Sequence, residues 1–175
     1  LKLQDEELND YDPVRDWLYE AETRILHSFG PQVSRFYSVL PSLYADLACF
    51  GTAVFYSEEI PGQGRVNDNV RPLSECVIAE NAYGDVDTVY RRFALTGRQA
   101  TEMFGEALSD RTARAAEKDP FCLIYFIHCV YPNTDHKPEK LDQKARPYLS
   151  TYIEEEGRHL VAEGGYYEMA YQVPR

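Results

Sequence analysis

Histidine, cysteine and closely spaced carboxylates are the side chains from which a catalytic or metal site is built, and in this 175-residue sequence they do not gather. His128 and Cys129 adjoin inside an apolar run. On a strand their side chains leave opposite faces, so they cannot share one metal or act together as base and nucleophile. His27, His136 and His159 fall on a predicted helix, a loop and a hairpin without ligand spacing. Cys49, Cys76, Cys122 and Cys129 show no CxxC spacing, and the chain is not a cysteine-dense scaffold, so reduced thiols are expected. Asp85 and Asp87 flank Val86 beside Gly84. On a strand both carboxylates would lie on one face and could chelate a hard cation; next to a turn they are solvated charges, which is the expectation here. A metal-dependent hydrolase using Asp85, Asp87 and His128 is the remote alternative that these residues leave open.

Other candidate motifs carry less. Gly62-Gln63-Gly64 lacks the rest of any nucleotide-binding fingerprint, and neither a Walker-type loop nor a GxSxG elbow occurs. Glu154-Glu155-Glu156 before Gly157 reads as an exposed hairpin end. Arg91 and Arg92 face opposite ways on a strand, so each is expected to meet an acidic cross-strand neighbour rather than a phosphate. No catalytic, cofactor-binding or metal residue is assigned, no cofactor is implied, and the chain is not expected to be an enzyme.

Charge narrows the partners. With 18 basic and 29 acidic residues the formal net charge is −11. Such a surface repels phosphate, whereas readers of nucleic acid carry a basic face or stripe. The 14 Tyr and 8 Phe lack interleaved basic residues and suit a core or a protein interface better than base stacking. The longest nearly apolar run, 121–130, is about half of a membrane span, so no membrane segment is expected. Leu1-Lys2-Leu3 opens the chain without an initiator Met, which points to a piece excised from a longer protein.

The elements that must hold these residues follow from period and punctuation. After an acidic leader (Asp5, Glu6, Glu7, Asp10), Asp12-Pro13 predicts a helix start with Asp12 as the cap. Val14, Trp17, Leu18, Ala21, Ile25 and Phe29 form its apolar stripe, and Gly30-Pro31 stops it. Phe36, Leu40, Leu43 and Leu47 mark a second helix ended by Gly51, with Pro41 expected to kink or break it. Then the period changes. Strands are predicted over 52–58, 75–80, 86–94, 121–131, 148–155, 158–162 and 166–173, with turns at 61–64, 81–84, Gly157 and Gly164-Gly165. Thr96 and Gln99 form a capping box, with Leu95 and Ala100 at the staple positions, opening a helix that ends at Gly105. A short helix covers 109–118, and 132–147 is a charged, exposed loop. The 121–131 strand is apolar on both faces and belongs in the middle of a sheet. The fold class is therefore α+β: an N-terminal helix pair (1–51), then a largely antiparallel sheet with two short inserted helices (52–175), in a single domain.

The order of local sequences carries a resemblance. Phe36-Tyr37, Leu43-Tyr44-Ala45-Asp46-Leu47 and Phe50-Gly51-Thr52-Ala53, then Ile78-Ala79-Glu80-Asn81, Gly84 and Val86 to Phe93, resemble successive blocks of phage head-to-tail connecting (portal) proteins. Leu95-Thr96, Arg98-Gln99-Ala100, Phe104-Gly105, His128, Val130-Tyr131-Pro132 and Gly164-Gly165-Tyr166 to Val173-Pro174-Arg175 continue in the same order. Pro41 and the end of the chain at Arg175 depart from the pattern. The resemblance implies an internal wing or body fragment of a homo-oligomeric ring, typically twelve-fold, set at one capsid vertex. Such a ring works with terminase, tail adaptor, capsid and scaffold proteins. It threads genomic DNA without sequence-specific binding, and it is a virion component made in the bacterial host cytoplasm. A non-catalytic virion adaptor or other binding module is the alternative. A ring component is expected to keep clusters of Tyr and Phe exposed for contact with its neighbours.

Overall fold

The computed structural model describes residues 1–60, 62 and 65–175, which form two compact units, Leu1–Val70 with Arg175 and Arg71–Pro174. The architecture is α+β, as the change of period along the sequence requires.

The first unit begins with a single helical turn, α1 (Glu6–Asn9), inside the acidic leader; the Asp5 side chain accepts from the Glu7 N–H and caps it. Helix α2 (Asp12–Ser28) starts where the Asp-Pro signal places it, but Tyr11 is the capping residue and no side chain caps it. Asp12 instead lies in the first turn, where a carboxylate suits the positive end of the helix dipole, and pairs with Arg15 at 2.9 Å. Of its predicted stripe only Leu18 is buried; Trp17 and Ile25 stand exposed. Helix α3 (Phe36–Phe50) runs unbroken through Pro41, so the proline does not end it, and Gly51 does, at φ 72°. Its inward residues Phe36, Leu40, Leu43 and Leu47 are half-buried, and Val39 is the buried one.

Strand β1 (Val54–Ile60) buries Val54, Phe55 and Tyr56, with Phe36 edge-on to Phe55 at 6.2 Å. Its neighbour β2 (Arg65–Arg71) was not foreseen. Arg-Val-Asn-Asp-Asn-Val-Arg has no apolar alternation; polar pairing holds it, with Ser57 donating to buried Asp68 at 2.8 Å and Asn67 donating to Glu58 at 3.1 Å. Of the turn predicted at 61–64, Gly62 has φ 76°, and Pro61, Gln63 and Gly64 lie outside the described residues.

The second unit is a five-stranded antiparallel sheet of β3 (Cys76–Glu80), β4 (Val86–Thr96), β5 (Leu123–Pro132), β6 (Tyr148–Glu154) and β7 (Leu160–Tyr166), in that spatial order. The apolar run is thus the central strand, as its composition requires. Helices α4 (Gly97–Phe104) and α5 (Asp110–Lys118) are inserted between β4 and β5. The capping box is present: Gln99 N donates to Thr96 Oγ1 at 3.3 Å and Thr96 N to Gln99 Oε1 at 2.9 Å. Phe93, Ala100, Leu108, Phe126 and Val161 form the core, with Leu95, Phe104, Ile124 and Tyr152 packed against it. Gly97 lets the helices touch, since a Cβ there would come within 2.8 Å of the Ala116 Cα.

The end of the chain differs from expectation. Gly164 and Gly165 lie inside β7, and no turn forms there; a further short strand, β8, covers only Tyr171–Gln172. Gly165 is needed for close approach, because a Cβ would sit 2.4 Å from the Gln143 carbonyl oxygen and 2.6 Å from that of Tyr148. The charged loop packs there too, Arg146 donating to the Gly165 carbonyl at 2.9 Å. No helix among the described residues is long and apolar enough to cross a membrane.

Candidate functional site

The most chemically loaded position in the chain is the middle of the sheet. Strand alternation and register place His128 of β5 between Arg91 of β4 and Tyr152 of β6, all on the face that carries the core. The imidazole stacks flat on the Tyr152 ring, centroids 3.9 Å apart and planes within 3°. Its Nδ1 lies 2.7 Å from the Tyr171 hydroxyl and its Nε2 2.9 Å from Ser150 Oγ. Burial, aided by the positive charges of Arg71 and Arg91, pulls the imidazole pKa down to about 3, so the ring is neutral. A neutral ring holds one donor and one acceptor, so one hydroxyl donates to it and the other receives from it.

Beside this ring Arg91 is already ion-paired. Arg91 lies over the Phe93 ring at 4.4 Å and donates to Glu75 at 2.8 Å. Cys76, next to Glu75, is pushed up to about 11 by burial, which keeps it a thiol. Burial likewise raises Tyr171 above the ordinary phenol range. A catalytic base needs a free lone pair within reach of a substrate; both His128 nitrogens face hydroxyls, and the residue is 1 % exposed. The cluster ties β5, β6 and β8 together.

Asp85, Asp87 and His128 do not converge. Asp85 sits in the β3–β4 turn, its N–H donating to Asn81 Oδ1 at 3.0 Å, and Asp87 accepts from Thr88 Oγ1 at 2.9 Å. Asp87 is four positions along β4 from Arg91, the register partner of His128, or about 13 Å at strand rise. Arg91 and Arg92 take opposite faces and both are ion-paired, Arg92 reaching Glu155 with two bonds of 2.8 and 2.9 Å. His136 Nδ1 lies 2.6 Å from the Ala145 carbonyl oxygen and His159 Nε2 3.1 Å from that of Ala107. His27 is in the last turn of α2. Among the described residues no group of three or more His, Cys, Asp or Glu could hold a metal, and all four cysteines are free.

The acidic run is the correction. Glu155 and Glu156 are exposed as expected, but Glu154 is 1 % exposed and accepts from Ser109 N (2.8 Å), Ser109 Oγ (2.6 Å) and Thr112 Oγ1 (2.8 Å). It locks the start of α5 onto the sheet. Ser150, Tyr152 and Glu154 alternate with Leu149, Thr151 and Ile153, so period 2 alone puts Glu154 on the inner face with Ser150 and Tyr152. That signal was available in the sequence, and three adjacent charges masked it.

The remaining distinctive feature is the outer surface. Tyr11, Trp17, Tyr19, Tyr37, Tyr44, Phe50, Tyr83 and Phe121 are all more than half exposed. Comparison with known proteins gives these surfaces a context. The family model described as Bacteriophage head to tail connecting protein matches residues 1–175, and the chain belongs to that family. Its relatives include the portal protein of Salmonella phage epsilon15, 31 % identical over 179 residues, covering all of this chain and 32 % of that protein. The probable portal protein of Bordetella phage BPP-1 is 31 % identical over 176 residues, covering 97 % of this chain and 31 % of that protein. The chain therefore spans about a third of the length of the curated relatives it matches.

Proposed function

We propose that this chain is a wing or body segment of a portal ring, contributing shape and contact surface and performing no catalysis. The observation that carries the reading is the family match along the whole chain together with the two portal relatives. The ring is a homo-oligomer, twelve-fold, at one capsid vertex of the virion, assembled from subunits made in the host cytoplasm. It contacts capsid and scaffold during assembly, then terminase, then tail adaptor proteins, while genomic DNA passes through its channel.

Physical chemistry supports this. A net charge of −11 keeps a sliding polyanion from sticking, because few phosphate counterions are released on contact. Exposed aromatics on an otherwise acidic chain suit contacts between subunits. The two polar clusters found inside the second unit, around His128 and Glu154, are closed to solvent and serve rigidity. Electron microscopy of the assembled protein tests the reading: closed rings at a single vertex of DNA-filled particles are expected. A monomer absent from purified particles would refute it.

A further inference from the structure

Strand β5 outruns its neighbour β6. Their register closes with Phe126 opposite Glu154, and beyond it only the Glu155 N–H still reaches β5, donating to the Tyr125 carbonyl at 3.0 Å. The chain then turns away through Glu156 and Gly157 toward β7. On the other side of β5 the Gly97 N–H donates to the Cys122 carbonyl at 2.9 Å. Strand alternation therefore aims the main-chain groups of Ile124 at β4 and those of Leu123 and Tyr125 away from it. The Leu123 N–H and C=O and the Tyr125 N–H face a cleft of about 520 Å³ between α5, the start of β5 and the end of β6. Among the described residues no strand pairs with them. Beside them Phe121 and Leu123 are 78 % and 63 % exposed.

We infer that this cleft receives an extended segment of the same polypeptide from outside these 175 residues, added to β5 as a short strand where β6 leaves off. The chemistry of the cleft defines the form of the occupant. Its rim charges are matched, Glu155 by Arg92 and Glu156 by Arg111, and Glu154 is satisfied by Ser109 and Thr112. What stays unmet is main-chain hydrogen bonding and the apolar area of Ala115, Leu123 and Ile124. An extended backbone with an apolar side chain supplies both; an ion or a polar small molecule does not. Three observations select the source. The portal relatives are roughly three times as long as this chain, which covers 32 % and 31 % of them, so a tethered segment competes at about millimolar effective concentration. An open edge beside exposed Phe121 and Leu123 is a template for indiscriminate pairing between copies, so it needs cover in the subunit before any assembly. At β7 the chain already closes the outer edge of this sheet with itself: Arg146 donates to the Gly165 carbonyl at 2.9 Å and Lys144 pairs with Glu163. The inference rests on the length of the relatives and not on ring formation.

Hydrogen–deuterium exchange of the full-length subunit, before and after assembly, tests it without any substitution. Already in the unassembled subunit, the Leu123 and Tyr125 amides are expected to exchange about a hundredfold more slowly than in an unstructured peptide. Exchange at the unstructured rate overturns the inference. So does protection that arises only on assembly, which assigns the cleft to a second copy. A second measurement locates the occupant: a benzophenone side chain replacing exposed Glu156 at the rim is irradiated in the unassembled full-length subunit. It is expected to link, within one polypeptide, to a residue outside these 175. Links confined to the 175 residues, or formed between copies, overturn it. Rings that form while Leu123 exchanges freely sink this contact alone, whereas a protected Leu123 in a protein that forms no rings sinks the portal reading alone.

Discussion

Glu154→Ala is the substitution for which the structure gives the sharpest number. The carboxylate is buried and receives three hydrogen bonds from Ser109 and Thr112 at the start of α5. A hydrogen bond to a charged group contributes about 1.5–3 kcal/mol, and removing the acceptor leaves its donors to find new partners. Half-buried Ser109 can turn toward water, and its Oγ keeps the Thr112 hydroxyl at 3.1 Å, so the sum is less than three full bonds. A net loss of about 4 kcal/mol follows. For a chain of this size that is a drop of roughly 8–16 °C in thermal midpoint. Glu154→Gln keeps the volume and one acceptor oxygen but turns an amide donor toward donors, so it should fall between, at about 2 kcal/mol. Glu156→Ala is the control: its partner Arg111 is exposed, and the change should stay within about 0.5 kcal/mol. Differential scanning calorimetry measures all three. If Glu154→Ala costs no more than Glu156→Ala, Glu154 does not hold α5 on the sheet.

Further expectations follow from the same structure. His128 has a folded pKa of about 3 against about 6.5 unfolded, so below pH 6.5 the unfolded chain takes a proton that the folded one refuses. Stability should therefore fall with acid between those values, by up to about 1.4 kcal/mol per pH unit from this group, and His128→Gln should show a shallower slope in urea titrations. Imidazole NMR shifts of His128 should stay flat from pH 8 to 5; a midpoint near 6.5 would contradict its burial. Gly97→Ala drives a Cβ to 2.8 Å from Ala116 and should destabilise by about 1–3 kcal/mol in chemical denaturation, with no loss expected if α4 and α5 were apart. Pro41→Ala should raise stability, since α3 already runs through Pro41 at a cost of up to about 3 kcal/mol; a lowered midpoint would show that Pro41 is locally required.

Where residues obeyed local rules, the sequence foretold the fold. Thr96 and Gln99, Gly51, Gly105 and the two-sided apolar run of β5 each specify one conformation through short-range sterics or burial, and each sits where those rules put it. Where tertiary contact overruled local preference, it did not. Gly164-Gly165 looks like a turn from its own chemistry, and pairing with Ser150 and Leu149 of β6 makes it a strand, with the carbonyls of Gln143 and Tyr148 leaving no room for a side chain at Gly165. Polar β2 is held by cross-strand side-chain bonds that no periodicity announces. Pro41 was expected to break a helix that tolerates it. At the candidate site, the opposite-facing arginines and the separation of His128 from Cys129 were legible from strand parity. The Tyr171 and Ser150 partners of His128 were not, because a long chain separation carries no sequence signal of its own.

The central claim is that these residues form part of a closed, non-catalytic ring. A symmetry-averaged electron microscopy reconstruction of the portal vertex in purified particles tests it directly. The expected result is the five-stranded sheet β3–β7 with α4 and α5 on it, repeated around the channel axis. A vertex whose density lacks this sheet, or a protein found only as monomers outside the particle, would contradict it.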